Sequence, residues 1–226
     1  MPDRPGCWVF GRTSDSVLRK VRVAAEEWSD WLGSHGEEVR PVTRLLVEPT
    51  EVLRVNYNPA LAGKPEPLFW SEVPPVSSRD IKRVVQLMEY SRNDLLELTS
   101  SLDARTLSWK PADKPRSIRN CLKHIALCEW WYLTRLNIPL PEDFPGDVFD
   151  LLHDTRELAV ETLLSLPQEK RAGIFQPDKD RSPVCDLWTA RKMLRRFVDH
   201  ERLHTRYISS LMKSKAREKE IRNSET

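Results

Sequence analysis

The stretch WTARKMLRRFVDHERLHTRYI, residues 188–208, decides the fold. Advancing about 100° per residue, Met193, Phe197, His200, His204, Tyr207, Ile208 and, just beyond, Leu211 fall on one face of a helix. Thr189 is placed to cap it, and the pattern runs from about Thr189 to Lys213. His200 and His204 therefore lie inside the apolar stripe, one turn apart, with their rings side by side. Burying two imidazoles among Met, Phe and Leu without partners is costly. A divalent ion removes that cost by taking a lone pair from each ring, and a His pair at i, i+4 is a common way for one helix to offer two ligands. A single inward histidine is more often a hydrogen-bonded core residue; two on one stripe shift the balance toward an ion.

Three more segments share this helical periodicity. One runs from about Ser78 to Leu102 with Ile81, Val84, Val85, Met88, Leu95 and Leu98 inward. A second starts at Ser117, a suitable N-cap, and continues to about Leu136 with Ile118, Cys121, Leu122, Ile125, Leu133 and Leu136 inward. A third spans about Asp147 to Leu166 and stops before Pro167. Proline-bearing loops separate the four, and amphipathic helices of this length bury their stripes most cheaply against each other, so a four-helix bundle is predicted. The residues after Lys213 are nearly all polar and predict a fraying or disordered tail over 214–226.

His124, at the edge of the second helix's stripe beside Cys128 and Trp131, is the other histidine placed to reach the bundle interior. His153 falls off the stripe of its helix, and His35 follows Gly33 in a loop. The candidate metal ligands are thus His124, His200 and His204. Cys128 offers a fourth ligand or a nearby nucleophile, although a small apolar core residue is its commoner role. Glu129 and Glu201 are candidates to orient imidazole N–H groups in a catalytic site. The string His200-Glu201-Arg202-Leu203-His204 also matches the zinc-protease pattern, whose Glu is the general base. That pattern needs a third ligand further along, and no His follows His204. Arg191, Arg195, Arg202 and Arg206 line the face opposite the histidines and read as a solvated surface.

Upstream, the prolines from Lys64-Pro65 to Pro75 cannot continue a helix or a central strand, and a domain boundary is placed near residue 75. Before it, Thr13 caps a helix to about Leu32, while Arg44–Val47 and Val52–Val55 read as strands, giving a small α/β unit over residues 1–75 and a bundle over 76–213.

The 226 residues carry a net charge of +2, with 39% hydrophobic and 31% charged residues. That balance points to no nucleic-acid partner. No stretch approaches the length of a membrane span, no signal-peptide pattern opens the chain, and a cytoplasmic location is expected. The 4 cysteines contain no Cys-x-x-Cys pair and read as free thiols. No Gly-rich phosphate loop appears.

The segment SIRNCLKHIALCEWWY, residues 117–132, together with residues 188–208, resembles the DinB-like (YfiT-like) superfamily over about 78–212. The resemblance implies a four-helix bundle in which His124, His200 and His204 bind zinc, nickel or a related ion. It also implies a choice of activities: thiol-dependent transfer, as in bacillithiol S-transferases and mycothiol-dependent maleylpyruvate isomerase, or metal-dependent hydrolysis. The expected partner is then a small-molecule substrate, among them a low-molecular-weight thiol; a homodimer is allowed, and no membrane partner is expected. The alternative is a non-catalytic, metal-stabilised interaction module. PGCWVFGRT, residues 5–13, with the helix after it, resembles a partial HicB-like α/β domain, whose antitoxin role is not carried over.

Overall fold

A computed structural model describes residues 4–9, 11–39, 47–53, 66–177 and 186–224, with side chains through residue 217. In chain order the elements are α1 (Ser14–Ser34), a 3-10 turn (Trp70–Glu72), α2 (Ser78–Thr99), α3 (Ala104–Ser108), α4 (Ile118–Thr134), α5 (Val148–Leu164), α6 (Gln168–Ala172) and α7 (Ala190–Ser224).

Each bundle helix starts where a side chain takes up orphaned backbone N–H groups. Ser77 and Asp80 form a reciprocal capping box on α2. The Ser117 hydroxyl accepts from the Asn120 N–H on α4, and Asp147 accepts from Phe149 and Asp150 on α5. On α7, Thr189 accepts from the Lys192 N–H at 3.1 Å while donating to the Glu72 carbonyl at 2.7 Å. Ser117 and Thr189 are the caps that the sequence predicts; Ser77 and Asp147 cap the other two helices.

α2 packs on α7, α7 on α4, α4 on α5 and α5 back on α2, closing a four-helix bundle. Its core is split in two. At one end, Ile81, Leu87, Met88, Leu133, Ala159, Met193 and Phe197 belong to one apolar cluster. At the other, Leu95, Ile118, Leu122, Ile125, Leu151, Leu152, Ile208 and Leu211 belong to another. Between them every bundle helix contributes polar side chains: Ser91 and Arg92, His124 and Glu129, Arg156, and then His200, Glu201 and His204. A polar layer therefore crosses the middle of the bundle, and α7 feeds both sides of it.

The chain is mainly helical. Among the described residues there is no strand, only an isolated bridge between Phe175 and Trp188. The expected strands at 44–47 and 52–55 fall partly outside the described residues, and Val47, Val52 and Leu53 have no strand structure. The separate α/β unit is accordingly not supported. α1, capped by Thr13 as the sequence predicts, lays part of its apolar face on the bundle. Leu32 joins the bundle core, the Trp31 indole donates to Asp94 on α2 at 2.7 Å, and the Arg202 guanidinium stacks 3.8 Å over the Trp31 ring.

A second adhesion point is Gly6. Its N–H donates to Asp199 Oδ1 at 2.6 Å, and its carbonyl accepts from Arg202 at 2.8 Å. Gly6 has φ +86°, and a Cβ there would sit 2.9 Å from Val198 and Arg202 atoms, so only glycine fits. α7 runs on helically to Ser224, past Lys213, where the polar composition predicts fraying. No helix among the described residues is long and apolar enough to cross a membrane.

Candidate metal centre

α4 and α7 bring His124, His200 and His204 together. Ring centroids are 4.5 Å apart for His200 and His204, 4.9 Å for His124 and His204, and 5.0 Å for His124 and His200. His124 Nε2 and His200 Nε2 lie 3.2 Å apart. Cys128, one turn beyond His124 on α4, places Sγ 3.6 Å and 3.7 Å from the two ring nitrogens of His124. Ligand-capable atoms of His124, Cys128 and His200 all fall within 4.8 Å of one another. Zinc–nitrogen and zinc–sulfur bonds of about 2.0–2.1 Å and 2.3 Å set tetrahedral edges of roughly 3.3 Å between nitrogens and 3.6 Å to sulfur. The observed separations match both edges. His204 Nδ1 is buried with no hydrogen-bond partner among the described residues, an orphaned lone pair or N–H of the kind a ligand satisfies.

The sequence of this bundle matches the family model of the DinB superfamily over residues 87–208, more than half of the chain. The chain belongs to the DinB superfamily. No curated protein and no solved structure matches it significantly.

In this DinB bundle, burial sets the chemistry of the donors. Burial, followed by the Arg116 charge, lowers the His124 pKa from 6.5 to about 4. Burial, then His124, Arg116 and Arg196, brings His204 to about 3. Burial among His204, Arg196 and His124 holds His200 well below its ordinary range. All three imidazoles are therefore neutral near pH 7, the protonation state that a metal ligand needs. Burial pushes the Cys128 thiol up to about 11. His200 is buried, whereas His124, Cys128 and His204 are half-buried, so the cluster is closed at its base and open along one edge. The Tyr132 ring stands edge-on to His200 at 5.7 Å and its hydroxyl accepts from Arg196 at 3.1 Å, fixing the ring at the base.

Glu129 and Glu201 do not orient the imidazoles. Arg92 donates to Glu201 at 2.6 Å and to Glu129 at 3.0 Å, and Arg156 bonds both carboxylates, reaching Glu201 at 2.7 Å. Ser91 donates to Glu201 as well. The reason is helical geometry: one residue beyond His200, Glu201 points about 100° away from it. At 1% exposure with two guanidiniums on it, Glu201 is not placed as the general base of a protease either. The basic face of α7 is solvated only in part: Arg206 is exposed and Arg191 half-buried, whereas the other two arginines are drawn in. Arg195 pairs with Glu66, Glu72 and Asp199, and Arg202 is buried against α1. His153 is exposed beside Glu157, and His35 stacks on Tyr90 at 4.4 Å, so neither joins the cluster. Cys7, Cys121 and Cys128 are free thiols; Cys185 lies outside the described residues.

The polar layer contains residues that periodicity passes over. Arg92 occupies the stripe position between Met88 and Leu95, and Arg156 the one between Leu152 and Ala159. A charged residue at an inward register was the available signal.

Proposed function

We propose that this DinB-superfamily protein binds one divalent ion, zinc or nickel, through His124, His200 and His204, and acts as a metal-dependent thiol S-transferase or hydrolase on a small molecule. The observation that carries the reading is the convergence of three neutral imidazoles, one with an orphaned buried nitrogen, at a cluster that is open on one edge. A bound divalent ion supplies Lewis acidity toward a thiol or a polarised carbonyl. The protein's own residues do the rest. His200, wedged under Tyr132, sets the floor of the site. His124 and His204 form the walls at the open edge, and the adjoining apolar clusters keep bulk water from the floor.

The test is metal analysis of protein purified without a polyhistidine tag. One equivalent per chain is expected, lost in His200→Ala and His204→Ala; metal retained at full stoichiometry in both variants overturns the site. Catalysis is then tested by incubating the loaded protein with bacillithiol or glutathione and a panel of electrophiles. Turnover that follows the metal content supports the enzyme.

A second reading has its own support. Cys128 Sγ stands at ligand distance from the cluster, and structural zinc sites are closed by four protein ligands. A non-catalytic, metal-stabilised module predicts a sulfur in the first coordination shell by X-ray absorption and no turnover. A shell of nitrogen and oxygen without sulfur removes this alternative.

A further inference from the structure

The floor of the histidine cluster is braced by a residue that belongs to no bundle helix. Arg196 and His200 lie one turn apart on α7, and the Tyr132 ring from α4 spans the two. Its edge meets the His200 ring at 5.7 Å, and its hydroxyl accepts from Arg196 at 3.1 Å. Phe197 at 5.6 Å and Trp188 at 5.9 Å close on the same ring, so Tyr132 is buried on every side that faces the core. The Arg196 guanidinium is anchored in turn by the Glu66 carboxylate, 3.3 Å away. Glu66 precedes α2, and three cations of the first two turns of α7 converge on it. Arg195 donates to its other carboxylate oxygen at 2.9 Å, and Lys192 Nζ donates to its backbone carbonyl at 2.6 Å. Charge-assisted contacts of this kind are short and directional, so they fix where the Arg196 guanidinium stands. If Arg196 moved, the buried phenol would lose the donor that sets its tilt. The neighbouring acid, Glu72, makes a useful contrast. It pairs with Arg195 at 2.6 Å and, among the described residues, makes no ion pair with Arg196.

We propose that Glu66 is a positioning residue for His200. Through Arg196 and the Tyr132 hydroxyl it fixes the orientation in which that imidazole is presented to a bound ion. Groups that hold a ligand ring in place from behind govern metal affinity as well as ring geometry. The effect on the ion rests on the metal reading given above, whereas the orientation of the ring is a property of the metal-free chain, and the two are measured separately.

The ring is followed by NMR in the metal-free full chain, the His200 Hε1 resonance being assigned by its loss in His200→Ala. Glu66→Gln and Tyr132→Phe are each expected to shift that resonance, although Tyr132→Phe keeps the aromatic ring. Glu66→Asp returns it part of the way, and Glu72→Gln leaves it in place. Zinc affinity is then measured against a competing chelator. Glu66→Gln and Tyr132→Phe each weaken zinc by about tenfold, whereas Glu72→Gln stays within about twofold of the wild type. The double variant loses little more than either single one, because the two residues act in series. A resonance that stays in place in both Glu66→Gln and Tyr132→Phe overturns the positioning role, and so does an equal shift in Glu72→Gln. Unchanged zinc affinity in both variants of a zinc-binding wild type overturns it as well. If the wild type takes up no zinc, the metal reading fails, and the resonance alone decides whether Glu66 sets the ring.

Discussion

Two polar clusters sit side by side in the middle layer of this bundle, and α7 supplies both from adjacent residues. On one side, Glu201, Glu129, Arg92, Arg156 and Ser91 satisfy one another within a buried network of ion pairs and hydrogen bonds. On the other, three imidazoles and a thiol have almost nothing to bond but each other, and His204 Nδ1 and the Tyr207 hydroxyl have no partner among the described residues. Both clusters are polar and both are largely withdrawn from water, so burial alone does not separate structure from function. Satisfaction does. A network complete within the protein fixes the register of four helices, while one left incomplete is held ready for something that arrives from outside.

The comparison can be broken from its structural side first. Arg156→Met leaves Glu129 and Glu201 short of a buried countercharge and is expected to cost about 3–5 kcal/mol in denaturant unfolding. A loss below about 1 kcal/mol would mean that the network is not what holds the layer. The histidine side predicts the reverse profile. His204→Ala removes no satisfied contact and leaves metal-free stability near the wild-type value, but it abolishes stabilisation by zinc. In the wild type that stabilisation amounts to about 2.7 kcal/mol at a free zinc concentration a hundredfold above Kd. Equal zinc stabilisation in the variant would assign the metal elsewhere.

Cys128 sharpens the boundary between the clusters. On the four-ligand, non-catalytic reading, cobalt-substituted protein shows a sulfur-to-metal charge-transfer band in the near ultraviolet that disappears in Cys128→Ser, with metal affinity falling roughly tenfold; on the three-histidine reading the band is absent. A cobalt spectrum that is the same in both proteins removes the thiolate from the coordination sphere. A further effect is expected on acidification. Burial pushes the Glu201 carboxyl up, but Arg156 and Arg92 outweigh it and hold the pKa at about 2 against an ordinary 4.5. A carboxyl depressed in the fold stabilises it fully above the unfolded pKa and loses that contribution as pH falls through the folded one. Its contribution is therefore expected to fade between about pH 4.5 and 2, and Glu201→Gln should flatten the stability profile in that window. A profile just as steep in the variant contradicts this.

Much of this was legible in the residues. The 3.6-residue pattern and the capping residues Ser117 and Thr189 placed the helices, because helix periodicity and end chemistry are local properties of the chain. His200 and His204 stood out as misfits on an apolar stripe, and His124 followed as the inward histidine of a neighbouring helix. What stayed hidden was long-range. Glu201 and Glu129 lie near the ligands in sequence, but their partners Arg92 and Arg156 come from other helices, and no local pattern pairs them. The α1 helix was legible, but not the surface it covers, since Trp31, Gly6 and Arg202 meet only across most of the chain. For Cys128 the sequence leaves a fourth ligand and a small core residue both open, and only the fold puts its sulfur beside His124.

The adhesion of Gly6 to Asp199 and Arg202 has a consequence for how the molecule is made. These contacts span 193 and 196 residues, and α7 also supplies two of the three imidazoles and one arm of the ion network. Without α7, helices α2, α4 and α5 hold no complete version of either polar cluster, and the Gly6 segment lacks both of these partners. Docking of α7 completes all three at one stroke. The proposed metal site is thereby tied to the docking of α7, and a chain without that helix keeps only His124 and Cys128 of the cluster.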